Sequence, residues 1–194
     1  MGKFTCIADI TKANKALGHH FFDGDTLQCF DSVIEPYVYG GSYFLTSEHF
    51  HPSESNLQSL HPRKWTIRRA RPNGSIETVN GFQHYASVEE AAHDVSIISG
   101  DTPGAVVYLL CFDTPVWGTT RHYVGYTARP LQDRIKEHAS GRGNKISKQA
   151  KARDIGFTIS HIEVFKDRTE ARKRELEIKR NSHYDKLCSR CGGS

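Results

Sequence analysis

The sequence contains no run approaching the roughly 20 apolar residues that a membrane-spanning helix needs, so no membrane partner is expected. Met1 to Thr11 lacks the charged-then-apolar pattern of a secretion signal. Cysteine is scarce and odd in number: five, at Cys6, Cys29, Cys111, Cys188 and Cys191. That argues against a disulfide framework, and a reducing cytoplasm is the expected setting. There is no internal repeat, and the composition excludes collagen, coiled coil and wholesale disorder. Hydrophobic residues make up 37% of the 194, which is modest but enough for a core. No sign of charge dominates the whole: 26 Lys+Arg stand against 22 Asp+Glu, a net of +4.

The balance changes when the chain is divided. Residues 1–100 carry 8 basic against 11 acidic side chains, a net of −3. Residues 101–194 carry 18 against 11, a net of +7. The second half therefore reads as built to meet a polyanion. The run Ser99-Gly100-Asp101-Thr102-Pro103-Gly104 gathers turn formers where the charge changes. The expected organisation is two small α+β domains: 1–100, then 105–182, with 183–194 as a C-terminal tail.

The first unit reads as mixed α and β. Tyr37 to Thr46 is aromatic-rich and strand-like, interrupted by Gly40-Gly41. Lys64 to Arg71 alternates, Pro72-Asn73-Gly74 turns the chain and Ser75 to Val79 returns, a hairpin signal. Glu48 to Leu60 is polar and reads as a loop. Ser87-Val88-Glu89-Glu90 fits a capping box that opens a helix to about Ile98.

In the second unit, Ala105 to Phe112 is a continuous apolar run and predicts a buried strand. Asp113 to Thr120 reads as a loop and His122 to Tyr126 as a second strand. Pro130 suits the first position of a helix reaching about Ser140, which Gly141-Arg142-Gly143 ends. Lys145 to Arg153 predicts another short helix. Phe157 to Phe165 alternates as a third strand. Asp167 caps a helix running to about Asn181.

Four features of this unit belong together. Tyr108 lies inside the apolar strand. Tyr123-Val124-Gly125 follows fifteen residues on. Arg134 and His138 stand four apart, on one helix face. Glu175 shares a helical stripe with Ala171 and Ile178. In residues and order these resemble the GIY-YIG nuclease family. The two signature triplets correspond to Val106-Val107-Tyr108 and Tyr123-Val124-Gly125. The family's arginine helix matches Leu131 to His138, and its metal-binding glutamate matches Glu175. The resemblance covers about Ala105 to Asn181. It is nearest the small single-domain members, which share a stretch like Ser140-Gly141-Arg142-Gly143. Val106 departs from the glycine of the family name.

The resemblance implies a three-stranded, mainly antiparallel sheet flanked by helices, and an endonuclease using Mg²⁺ or Mn²⁺ on DNA, with RNA not excluded. Glu175 would hold the cation, a hard ion that keeps most of its waters. Arg134 would grip a phosphate through its planar fork. Tyr108 is the candidate general base, though an ordinary tyrosine ionises near 10 and needs help. Tyr123 would share that role or orient the water, and His138 would assist. Gly125 reads as a point of close backbone approach. Arg142, Lys145, Lys148, Lys151, Arg153 and Lys179 read as phosphate contacts, which set affinity but read no sequence.

Taken singly, each has a plainer reading. The tyrosines fit packed strand aromatics, Arg134 and His138 a solvated helix face, and Glu175 a surface glutamate among Arg172, Lys173, Arg174 and Lys179. Joint occurrence in order favours the catalytic reading. The chain ends in His183-x4-Cys188-x2-Cys191, which could form part of a zinc site. No fourth ligand is evident nearby, and two surface thiols are the simpler account.

Residues 1–100 are expected to serve as an accessory that directs target choice, or to mediate a protein partner or dimerisation. The hairpin's Lys64, Arg68, Arg69 and Arg71, with Trp65, could enter a groove, while an ordinary sheet hairpin is the plainer reading. Seven histidines in this half show no metal-ligand spacing. The segment from Ala13 to Phe50, followed by the hairpin, resembles small domains of unknown function in phage and bacterial proteins. Two rival functions remain: a nucleic-acid-binding protein that does not cut, and a protein-interaction module carrying a nuclease arm.

Overall fold

The computed structural model of the chain describes residues 43–47, 64–70, 76–80, 84–182 and 184–191. It divides into two compact units, Met1–Ser96 and Ile97–Ser194.

In the first unit, β1 (Tyr43–Ser47), β2 (Trp65–Ala70) and β3 (Ile76–Val79) form an antiparallel sheet in the order β1-β2-β3. β2 and β3 are the two arms of the expected hairpin. Its Asn73-Gly74 turn, the strand-like residues before Tyr43 and the loop at 48–60 lie outside the described residues. Trp65 also exchanges backbone hydrogen bonds with Tyr85, at 2.7 and 3.0 Å. Because β2 is the central strand, its cations are not offered on a free ribbon. Arg68 is 2% exposed, Arg69 is buried beside it, and the Arg68 guanidinium donates to Thr78 Oγ1. That overturns the groove-entering reading for these two arginines and leaves the ordinary sheet hairpin.

Helix α1 (Val88–Ser99) starts where Ser87 Oγ accepts from Glu90 N at 3.1 Å. Glu90 reaches back to Ala86 N at 3.2 Å, one residue before the usual partner of a capping box.

The second unit is built on β4 (Ala105–Phe112), buried along its whole length. It lies between β5 (His122–Thr127) and β6 (Phe157–Phe165), all antiparallel, in the order β5-β4-β6. A strand covered on both faces must be apolar throughout, and AVVYLLCF is. Tyr108 pairs with Gly125, Leu110 with Tyr123 and Cys111 with His122. On β6, Leu109 faces His161 and Leu110 faces Ile159, so Ser160 is an extra residue, a bulge.

Side chains on β4 alternate between two faces. Ala105, Val107, Leu109 and Cys111 join Val124, Ala171, Ile178 and Cys188 in one apolar cluster, under helix α4 (Arg168–Asn181). The other face meets helices α2 (Leu131–Ala139) and α3 (Lys145–Ala152). On α2, Leu131, Ile135 and His138 are buried at helical spacing, so the histidine occupies the third place of an apolar stripe. Pro130 stands at the N-cap in extended backbone (ψ 126°), one residue earlier than the sequence reading placed it.

Beyond α2, Gly141 takes a positive φ of 78°, Arg142 N donates to Glu137 O and Gly141 N to His138 O. This paired closure ends the helix sharply and aims the chain at Gly143. Asn144 then caps α3 through Ser147 N at 2.8 Å. Asp167 caps α4, accepting from Thr169 N and Glu170 N at 2.6 and 3.0 Å. A last short helix, α5 (Tyr184–Leu187), precedes Cys188. Among the described residues no helix is long and apolar enough to cross a membrane.

Candidate active site

Strand register brings the first elements together. Tyr108 faces Gly125 across the β4–β5 pair. A Cβ at Gly125 would stand 2.6 Å from Tyr108 Oη and 2.9 Å from Tyr123 Cε1. Only a residue without a side chain lets the Tyr108 ring lie over β5. Tyr123 packs beside it, with ring centroids 6.4 Å apart.

Helix α2 supplies the polar partners. Arg134 Nε donates to Tyr108 Oη at 3.1 Å, and His138 Nε2 lies 2.8 Å from the same oxygen. The other ends of the guanidinium are tied to Glu137 Oε2 at 2.6 Å and to Gly143 O at 3.0 Å. His138 Nδ1 meets Ser147 Oγ at 2.5 Å. His138 is 1% exposed, and a Cβ at Gly143 would stand 2.3 Å from its Nδ1. The helix closure at Gly141 therefore sets the histidine: it delivers a glycine where only a glycine fits.

Electrostatics follow from burial. Burial raises the Tyr108 phenol above its ordinary range, the Tyr123 phenol adds to that, and Arg134 opposes both. Burial lowers His138 to about 4, with help from the Arg134 charge and against Glu137. His138 is thus neutral near pH 7. Arg134 already donates into Tyr108 Oη, so the phenol proton points to His138 Nε2, and Nδ1–H points to Ser147 Oγ.

Glu175 projects from α4, 8% exposed, between buried Ala171 and Ile178. It is close enough to Tyr108 for its charge to oppose ionisation of the phenol. Its Oε1 accepts from Lys179 Nζ at 2.6 Å. Lys179 is therefore turned to the carboxylate. A hard carboxylate oxygen already holding a cationic group is chemically suited to a divalent ion that keeps its waters.

Lys145, Lys148 and Lys151 lie on the exposed side of α3, opposite buried Ile146, Ser147 and Ala150. Arg142 is exposed and donates to Ser140 Oγ at 3.1 Å. Arg153 is turned to Val116 O at 2.5 Å.

Sequence reasoning missed several neighbours. Ser147 and Gly143 frame His138 but read as a helix residue and a helix stop. Glu137 bridges Arg134 and Arg129, the latter at 2.8 Å. A cleft of about 280 Å³ is lined by Tyr126, Thr127, Ala128, Arg129, Arg134 and Arg168, so three guanidinium groups line one concavity. The +7 charge was the available signal, but it could not say which cations converge. A surface pair of thiols at the C-terminus is also wrong: Cys188 is 1% exposed and lies in the α4 core. His183 lies outside the described residues.

A small three-stranded antiparallel sheet that gathers two tyrosines, an arginine and a histidine at one face, with a buried glutamate on α4 within electrostatic reach of Tyr108, defines a nuclease-type domain. Comparison with known proteins agrees. The GIY-YIG catalytic domain family matches residues 105–186. A UPF0213 protein of Enterococcus faecalis (strain ATCC 700802 / V583) is 37% identical over 78 residues, 40% of this chain and 78% of that one. The chain belongs to the GIY-YIG family through its second unit. Residues 6–96 match a different family, DUF7447, described as of unknown function. No solved structure matches the chain.

Proposed function

We propose that the protein is a divalent-cation-dependent endonuclease acting on DNA, with residues 1–100 directing target choice. The observation that carries this reading is the position of Tyr108 Oη, held between a cationic donor and a neutral imidazole.

The chemistry follows from that position. Arg134 and the arginine-lined cleft bind the phosphate and offset its charge. Water attacks phosphorus and gives its proton to Tyr108 Oη. The phenol passes its own proton to His138 Nε2, and Ser147 Oγ steadies the imidazole through Nδ1–H. The relay lets a tyrosine serve as base without standing ionised in a buried site. The P–O bond opposite the water breaks, and the leaving oxygen takes a proton from solvent. Glu175 would hold the cation, which when bound supplies further charge neutralisation at the phosphate. Lys179 would release Glu175 as the cation arrives and turn toward the backbone.

Target choice is assigned to residues 1–100 because contacts of the catalytic unit run to phosphate, which carries no sequence information. The exposed Lys145, Lys148, Lys151 and Arg142 support the same division of labour.

Supercoiled plasmid with Mg²⁺ tests the reading. Cleavage is expected to stop with EDTA and to return when Mg²⁺ is restored. Glu175→Ala and Arg134→Ala should each lower the rate at least about 10²-fold while retaining most binding. Wild-type cleavage by Glu175→Ala would sink the mechanism.

A further inference from the structure

On the sheet face opposite Tyr108 lies a second cluster. Cys111 of β4 and His122 of β5 are direct cross-strand partners. Cys188 and Cys191, after α5, fold back onto them. One ligand atom from each of the four lies within 4.8 Å of all the others.

We propose that Cys111, His122, Cys188 and Cys191 bind a zinc ion that staples the C-terminal segment to the sheet.

Three observations carry it. First, the spacing fits. Two sulfurs bound at about 2.3 Å to one tetrahedral ion stand about 3.8 Å apart. Cys111 Sγ and Cys191 Sγ are 3.8 Å apart, far beyond the roughly 2.05 Å of a disulfide. Second, His122 has a donor nitrogen to spare. Its side chain is 8% exposed, yet among the described residues its buried Nε2 has no hydrogen-bond partner, an arrangement that costs energy unless something binds there. The Asp185 carboxylate stands 3.4 Å from Nδ1, where an outer carboxylate orients a ligating imidazole.

Third, the segment is pinned in place. Cys191 N bonds Cys188 O at 3.2 Å, Ser189 N bonds Ser160 O at 3.3 Å, and Arg190 reaches Asp113 and Thr158. A cleft lined by Thr120, Arg121, His122, Tyr184, Asp185 and Cys191 gives access.

Three thiolates and an imidazole suit zinc and not the hard ion that Glu175 would hold. Four protein ligands leave no open position, so the site is structural. It is independent of the proposed cleavage.

Elemental mass spectrometry of the full chain, purified under reducing conditions from zinc-supplemented cells, tests the site. One zinc per chain is expected, and close to none in Cys188→Ser or Cys191→Ser. Cobalt(II) added to zinc-free protein should give the strong visible absorption of a tetrahedral thiolate site. Asp185 is 82% exposed, so Asp185→Asn should fold normally. It should weaken zinc about 10–100-fold in competition with a chelator. Reduced wild-type protein that holds no zinc and gives no cobalt band overturns the proposal. So does zinc content unchanged in both cysteine variants, or a Cys111–Cys191 disulfide in freshly isolated protein.

Discussion

The two faces of the β5-β4-β6 sheet are made by alternate residues of the same strands; both bury apolar side chains, but the Tyr108 face also carries a relay of buried hydrogen bonds. On one face Tyr108, His138, Arg134 and Ser147 form a chain of directed hydrogen bonds. On the other, Val107, Leu109, Val124, Ala171 and Ile178 pack without direction. The contrast teaches where each kind of residue can be afforded. Hydrogen bonds tolerate little displacement but place a proton well. Apolar packing places nothing but carries the stability, at about 1.5–3 kcal/mol for each large side chain buried.

Substitutions can break this division. The largest effect is expected from Tyr108→Phe, which keeps the ring and removes the hydroxyl. Its cleavage rate should fall about 10²–10⁴-fold. A rate within about threefold of wild type would remove Tyr108 from the chemistry. Leu109→Ala, one residue on and facing the other way, should cost about 2–5 kcal/mol in urea unfolding. Its rate per folded molecule should be unchanged. If Leu109→Ala slows chemistry as much as Tyr108→Phe, the faces are not separable.

Acid should separate them again. His138 is lowered to about 4 in the folded chain, so between there and its ordinary 6.5 the unfolded chain binds the extra proton. Its contribution is complete above about pH 6.5 and is lost as pH falls toward 4, by roughly 3 kcal/mol. On the opposite face Glu163 is held at about 2: burial raises it, but His161 and the two-pronged Arg174 outweigh burial. That contribution is complete above about 4.5 and is lost only below it. Urea melts from pH 7 to 3 should therefore show two windows of loss. His138→Leu should abolish the upper window and leave the lower. An upper window unchanged in that variant would show that another group causes it. The smallest effect is expected from Ser147→Ala, about 1 kcal/mol, with a modest fall in rate.

Much of the second unit was legible because its signals are local. An eight-residue apolar run rich in valine and aromatics favours a covered strand, and Asp167 before a charged helix is a cap. Tyr108 and Tyr123 lie fifteen apart because one antiparallel turn separates them. What stayed hidden depends on chain return. Cys111 and His122 look unrelated to Cys188 until register pairs the first two and α5 brings back the third. Gly143 was visible as a helix terminator, but its need follows from the His138 ring, which no spacing rule describes. In the first unit, four cations in one hairpin suggested a surface. The pairing of β1 with β2, set by residues far upstream, made two of them interior.

The bulge at Ser160 resolves a conflict of parity within β6. Phe157 and Phe165 are eight residues apart, so an unbroken strand would point both to one side. With one residue inserted between them, Phe157 packs near Phe112 and His138, and Phe165 packs under α4. The strand thus changes allegiance halfway along. Closing the bulge with Ser160 retained would force one of the two aromatic anchors into the wrong layer, whereas deleting Ser160 would pair the strands one to one and leave both in place.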